Sequence, residues 1–251
     1  MRYPLALSLR EGTQHAHALA ENTVLMKCLF QGVVEREPIR LWLSRLYYIY
    51  EALEVEMQRS THCATVRTMY FPSLERLPQL EKDLAFYFGE NWHHLIQPSP
   101  KTIRYVMRIH AIANDAPELL IAHAYVRYMG DLSGGQGLKS AIRPALTLPV
   151  GEGTAFYEFS DLPTVRDRHM FKHRYRDALN SLSLDKATLL QVVHEANLAF
   201  KLNYGLLQEL APAVKAAIGQ TRFALIAHQG DLPSSTAHSP THRTQLVMTG
   251  A

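Results

Sequence analysis

The residues with the clearest chemical potential lie in one stretch, Tyr125-Val126-Arg127-Tyr128-Met129-Gly130-Asp131-Leu132-Ser133-Gly134-Gly135-Gln136-Gly137. Glycine inside a helix costs about 1 kcal/mol relative to alanine. Here four glycines, at 130, 134, 135 and 137, fall within eight residues. Two readings are open. One is a helix end followed by a loop. The other is a kinked helix whose missing side chains admit a large flat ligand onto the backbone. Leu138 to Ile142 resume a helical pattern, which favours the second. Asp131, set among the glycines, could direct water onto such a ligand without blocking it.

A second candidate is Thr13-Gln14-His15-Ala16-His17, with Glu21 four residues beyond His17. Residues two apart on a helix point about 200° away from each other, so His15 and His17 cannot share one metal ion. His17 and Glu21 share a face, and a carboxylate there could orient the imidazole through its second nitrogen. From spacing alone, an ordinary packed or exposed histidine is the commoner reading. A third group is basic: Arg166, Arg168, Lys172, Arg174 and Arg176 fall on one expected helix. Lys172 and Arg176 are four apart and suited to gripping carboxylates; the alternative is a solvated basic face. No Walker-type loop, G-x-S-x-G elbow or H-E-x-x-H motif occurs.

The elements that must position these groups read as helices nearly throughout, because strand-like alternation is rare. Ser8-x-x-Glu11 has capping-box spacing, and a helix is expected from there into Val24–Phe30, with Gly32 at its end. Pro38 is expected to open a long helix to about His62. Its stripe of Trp42, Leu43, Leu46, Ile49, Tyr50, Leu53 and Met57 repeats at three and four. Prolines and a glycine break residues 70–100 into short helices and turns. Further helices are expected over about 101–113, 117–146, 164–182 and 184–218. After Gly219 the character changes, residues 229–251 being rich in Ser, Thr, His, Gly and Pro, and 219–251 is expected to be a disordered tail following a single all-α domain over 1–218.

The 251 residues are enough for a full core. A formal charge of +3, from 26 basic and 23 acidic side chains, argues against a nucleic-acid binder relying on a strong overall field. Cys28 and Cys63 form no zinc or disulfide pattern. No run approaches the length of a membrane span and the N-terminus lacks a signal-like apolar region, so a cytoplasmic protein with no membrane anchor is expected.

The run Pro117-Glu118-Leu119-Leu120-Ile121-Ala122-His123-Ala124 through Gln136 closely resembles the signature of heme oxygenases. So do Arg10-Glu11-Gly12-Thr13 leading to His17-Ala18-Leu19-Ala20-Glu21-Asn22, Tyr70-Phe71-Pro72, Leu84–Gly89 and Thr154–Phe159. The similarity spans about residues 5 to 215 in order, and is closest to the soluble cyanobacterial and plastid-type members. It implies a multi-helix fold with heme b, at once cofactor and substrate, between a proximal helix and a kinked distal helix. It further implies cleavage at the α-meso carbon to biliverdin IXα, carbon monoxide and ferrous iron, using O2 and an external electron donor.

Residue by residue, the resemblance makes His17 the proximal iron ligand and Glu21 its carboxylate neighbour. Gly130, Gly134 and Asp131 belong to the distal helix. Arg10, Tyr125, Lys172 and Arg176 match the polar groups around the propionates. Tyr50, Tyr105, Arg127 and Asn203 match a distal hydrogen-bond network, and Phe200 a pocket wall. A ferredoxin or another reductase is the implied electron source, and a monomer or weak dimer the implied assembly. Gly137 stands where the family has an apolar residue, and is expected to add flexibility past the kink. A non-catalytic heme carrier or sensor on the same fold is the competing reading.

Overall fold

The apolar stripes become helices almost throughout: in the computed structural model, which describes residues 4–230, no strand occurs among the described residues. The single helix expected from Ser8 into Phe30 is three, α1 (Leu5–Gly12), α2 (Gln14–Glu21) and α3 (Val24–Phe30). Threonines make the breaks. Thr13 turns its hydroxyl back onto Leu9 O at 2.7 Å and Thr23 onto Ala20 O at 3.0 Å, competing with the helical ladder. Ser8 caps nothing; it lies inside α1 and donates to Pro4 O.

α4 runs Arg36–Arg59, starting before Pro38. A proline in the first turn removes an N–H that no helical carbonyl would have accepted. Its expected stripe, Trp42, Leu43, Leu46, Ile49, Tyr50, Leu53 and Met57, is buried. Between residues 60 and 100 lie α5 (Ala64–Met69), α6 (Leu77–Phe88) and α7 (Trp92–Leu95). α6 is longer than the punctuation suggests, because Pro78 sits in its first turn and opens it. Glu54 of α4 caps it from outside, accepting Arg76 N–H at 2.5 Å and Leu77 N–H at 3.2 Å.

α8 is Pro100–Asp115. A 3₁₀ turn at Pro117–Leu119 then leads into α9 (Leu120–Ala124), a π-helical turn over Tyr125–Met129, and α10 (Gly130–Ala145). α11 (Val165–Ser181) opens with a Thr164/Asp167 capping box, and α12 is Lys186–Glu209. α4 packs between α6 and α8, while α12 packs on α2, α8 and α9. These contacts gather the N-terminal, central and C-terminal segments around one core.

α13 (Ala211–Ile218) is followed by α14 (Gln220–Ala227), so the expected boundary at 218 is corrected. Gly219, at φ 82°, makes the turn between them. α14 folds back on α3 and α13 and buries Ile226. Lys27 Nζ then ties its end down, donating to Gln229 O at 2.8 Å. The polar composition of residues 229–251 masks the short apolar run 223–227 just before them. Of the expected tail, residues 231–251 lie outside the described residues.

Candidate active site

α2 presents His17 and Glu21 on one face. The Glu21 carboxylate lies 3.2 Å from His17 Nδ1, and the imidazole stays partly open at 24% exposure. Phe200 of α12 packs edge-on against the ring at 5.5 Å between centroids. The carboxylate thus stands beside one ring nitrogen, and Nε2 remains as the donor nitrogen. His15 is exposed, as its 200° offset requires.

The basic candidates converge from two helices, with Tyr125 of the π turn beside them. Arg10 ends α1, which packs on α11, the helix of Lys172 and Arg176. Burial raises the Tyr125 hydroxyl, and Arg176 and Arg10 oppose the rise electrostatically, so Tyr125 lies within the field of both. Lys172 is lowered by burial, with Arg176 and Arg168 adding to the effect. Cationic groups crowded this way favour an anionic ligand.

The third group is the most buried. Tyr50 donates a short hydrogen bond to Asp131 Oδ2. Arg127 donates from Nε to Tyr50 Oη at 3.1 Å and from Nη1 to Asn203 Oδ1 at 2.9 Å. Its Nη2 stands 3.6 Å from Asp131 Oδ1. Tyr50 and Tyr105 are fully buried, and Arg127, Asp131 and Asn203 are each under 9% exposed. A charge removed from water persists only when paired and hydrogen-bonded, and Arg127 has both. Burial raises the Asp131 carboxyl above the ordinary range, against the lowering pull of Arg127 and Tyr50. Such a carboxyl holds its proton more readily than a surface aspartate does. Tyr105 Oη is buried with no protein partner, which leaves a polar position for a ligand or water beside the cluster.

The glycines divide into two sets. A Cβ added at Gly130, Gly134 or Gly137 would meet nothing within 4 Å, whereas one at Gly135 would sit 3.0 Å from Tyr157 Cδ1. Positions 130, 134 and 137 are spaced four and three apart and form one bare stripe along α10. Gly137 therefore extends the open face and does not simply loosen the helix. The helix is not broken at the glycines, since Gly130 has ordinary helical angles, φ −62° and ψ −49°. The irregularity precedes them, in the π turn at Tyr125–Met129, a common position for functional helix distortion.

Two supports have no sequence signal of their own. Asp83 accepts the N–H groups of Ala155 and Phe156, each at 2.8 Å. Gln136 Nε2 donates to Tyr157 O at 2.7 Å, so α6 holds the turn against which α10 rests. On the other flank, Glu195 accepts from Arg108 at 2.9 and 2.5 Å and meets His123 Nε2 at 2.9 Å. That contact fixes α9 just ahead of the π turn. Burial would raise Glu195, but His123 and Arg108 bring it down to about 2.

Comparison with known proteins matches the whole chain to a family. The heme oxygenase family model matches residues 3–209. Heme oxygenase 2 of Synechocystis sp. is 53% identical over 232 residues, 92% of each chain. The heme oxygenase of Rhodella violacea is 48% identical over 206 residues, 82% of this chain and 86% of its own. Among solved structures, heme oxygenase-2 from Synechocystis in complex with heme and NO superposes with a TM-score of 0.92 at 51% identity. That match covers 99% of this chain and 100% of the other.

Proposed function

The chain belongs to the heme oxygenase family, and from that premise we propose that His17, the bare α10 stripe and the Asp131 cluster divide the reaction between them. The overall reaction is the family's, cleavage of heme at the α-meso carbon to biliverdin IXα, carbon monoxide and ferrous iron. The residues present fit heme as substrate. His17 offers one imidazole donor with a carboxylate at its other nitrogen, the glycine stripe offers backbone without side chains, and Arg10, Lys172 and Arg176 offer charge for two carboxylates. Bound heme supplies the iron at which O2 is activated and the ring that is oxidised.

Everything else falls to the chain. His17 holds one face of the ligand, and Phe200 fixes the angle of the imidazole. The residues at 130, 134 and 137 let the α10 backbone approach the opposite face, where any side chain would stand in the way. Lys172 and Arg176 grip the propionates and so choose which meso edge lies under α10. Asp131, in a site closed to bulk water with Tyr50 and Arg127 fixing its carboxyl, passes a proton through ordered water toward the reacting edge. Proton transfer from a positioned group contributes about 10²–10⁴-fold to rate. The observation carrying this reading is the bare stripe beside a buried, raised carboxyl. A heme carrier needs the pocket but has no use for a proton donor.

The electrons come from outside. The exposed basic face of α11 suits an acidic donor, and a ferredoxin is the class that fits. The proximal assignment is tested by His17→Ala, which is expected to lose the imidazole-ligated Soret spectrum of the heme complex. A variant that kept that spectrum would move the ligand to His15 and overturn the assignment.

A further inference from the structure

On the exposed side of α11, on a face that adjoins Lys172 and Arg176, His169 and His173 stand one turn apart with their Nε2 atoms at hydrogen-bond distance, 3.0 Å. Their rings meet at 4.6 Å between centroids, and both side chains are exposed. Four-residue spacing on a helix is the geometry by which two histidines chelate one ion. We propose that this pair is a surface chelation site for a late first-row divalent metal ion, Cu2+ foremost and Ni2+ next.

The donor set carries the choice of ion. Two imidazole nitrogens one turn apart on an exposed helix face suit late first-row divalent ions, and copper leads the affinity order for nitrogen donors among these. Among the described residues no third His, Cys, Asp or Glu joins the pair at ligating distance, so solvent completes the coordination. Asp177 lies one further turn along the same stripe and is the nearest acidic position in sequence on that face.

Charge sharpens the selectivity. Arg166, Arg168, Lys172, Arg174 and Arg176 share the helix, and their field opposes any cation held by electrostatics alone. Hard ions such as Mg2+ and Mn2+, which depend on oxygen donors, are disfavoured twice over. An ion bound through two neutral imidazoles tolerates the field better, because the nitrogen–metal bond is less ionic.

The test is an amide NMR titration of the full chain with sub-stoichiometric CuSO4, which bleaches signals near bound copper. Bleaching centred on residues 169–177 is expected, absent in His173→Gln and in His169→Gln, with a Cu2+ affinity about tenfold or more lower for each variant. Both positions are exposed, so both variants should keep the wild-type melting curve, which separates loss of a ligand from loss of fold. MnCl2 at the same ratio is expected to leave 169–177 unbleached. Copper bleaching centred only on other histidines, or persisting at 169–177 in both variants, would overturn the proposal. Equal bleaching by Mn2+ would overturn its nitrogen-donor selectivity.

Discussion

In the proposed mechanism the chemistry turns on Asp131, and its surroundings explain why an acid sits in an otherwise closed core. The residue is 6% exposed, and its carboxyl receives the Tyr50 hydroxyl and faces Arg127. Burial outweighs those two and lifts its affinity for a proton. Asp131→Ala should therefore bind heme with an intact proximal spectrum and lose about 10²-fold or more of the biliverdin rate. It should also gain peroxide-dependent oxidation of a phenolic dye, since oxygen chemistry would no longer be steered to the ring. Normal biliverdin yield from the variant would remove Asp131 from proton delivery. At this scale the sequence was partly legible. The aspartate among glycines and the His17–Glu21 spacing are visible as patterns. The approach of Tyr50 and Asn203 to Arg127, from positions 77 and 76 residues away, exists only once α4, α12 and the π turn are packed together.

At the scale of the element, the distal helix shows what a glycine run is for. Gly134 and Gly135 are neighbours with opposite duties, the first facing open space and the second packed on Tyr157. Gly134→Ala should stabilise the heme-free protein by about 1 kcal/mol, through helix propensity alone, which corresponds to about 2–4 °C in Tm for a domain of this size. It should weaken heme binding at the same time. Gly135→Ala should forfeit the stability gain, because its new methyl group presses on the Tyr157 ring. Thermal melts and heme titrations of the two variants separate these outcomes. A Gly134→Ala variant with unchanged heme affinity would show that the stripe is not the wall. The four-and-three spacing of the bare glycines was legible in the sequence, whereas the split at Gly135 depends on a turn some twenty residues downstream. Helix lengths followed apolar periodicity, but the breaks at Thr13 and Thr23 arise from hydroxyls that equally well face outward in an unbroken helix. α14 was hidden for a different reason, its short apolar run 223–227 lying directly before the polar residues 229–251.

For the whole molecule, the raised carboxyls of the core set a pH dependence of stability to which Asp131 adds in the same direction. Burial pushes Glu54 up to about 7 despite the two backbone N–H groups that lower it. It likewise pushes Asp83 up to about 6, again against two backbone donors. A carboxyl whose folded pKa exceeds its unfolded value binds more protons when folded. Stability is therefore lost as pH rises from about 4.5 through 7, and the loss levels off above that. Glu54→Gln stays neutral throughout and should show a shallower decline in Tm between pH 5 and 8, whatever its absolute stability. An unchanged slope would mean that Glu54 is ionised in the fold. The two carboxyls brace the same region, Glu54 at the start of α6 and Asp83 at the turn beneath α10. Core stability and the distal wall are thereby linked through one helix.

The most direct measurement of the central claim is a turnover experiment on the full chain. One equivalent of heme is supplied with O2, a reduced ferredoxin and its reductase, and the visible spectrum and released products are followed together. The account predicts that the Soret band disappears while biliverdin IXα, carbon monoxide and ferrous iron form one for one with the heme consumed. A Soret band that persists under sustained reduction, with no bilin formed, would contradict it and leave a heme carrier on the same fold.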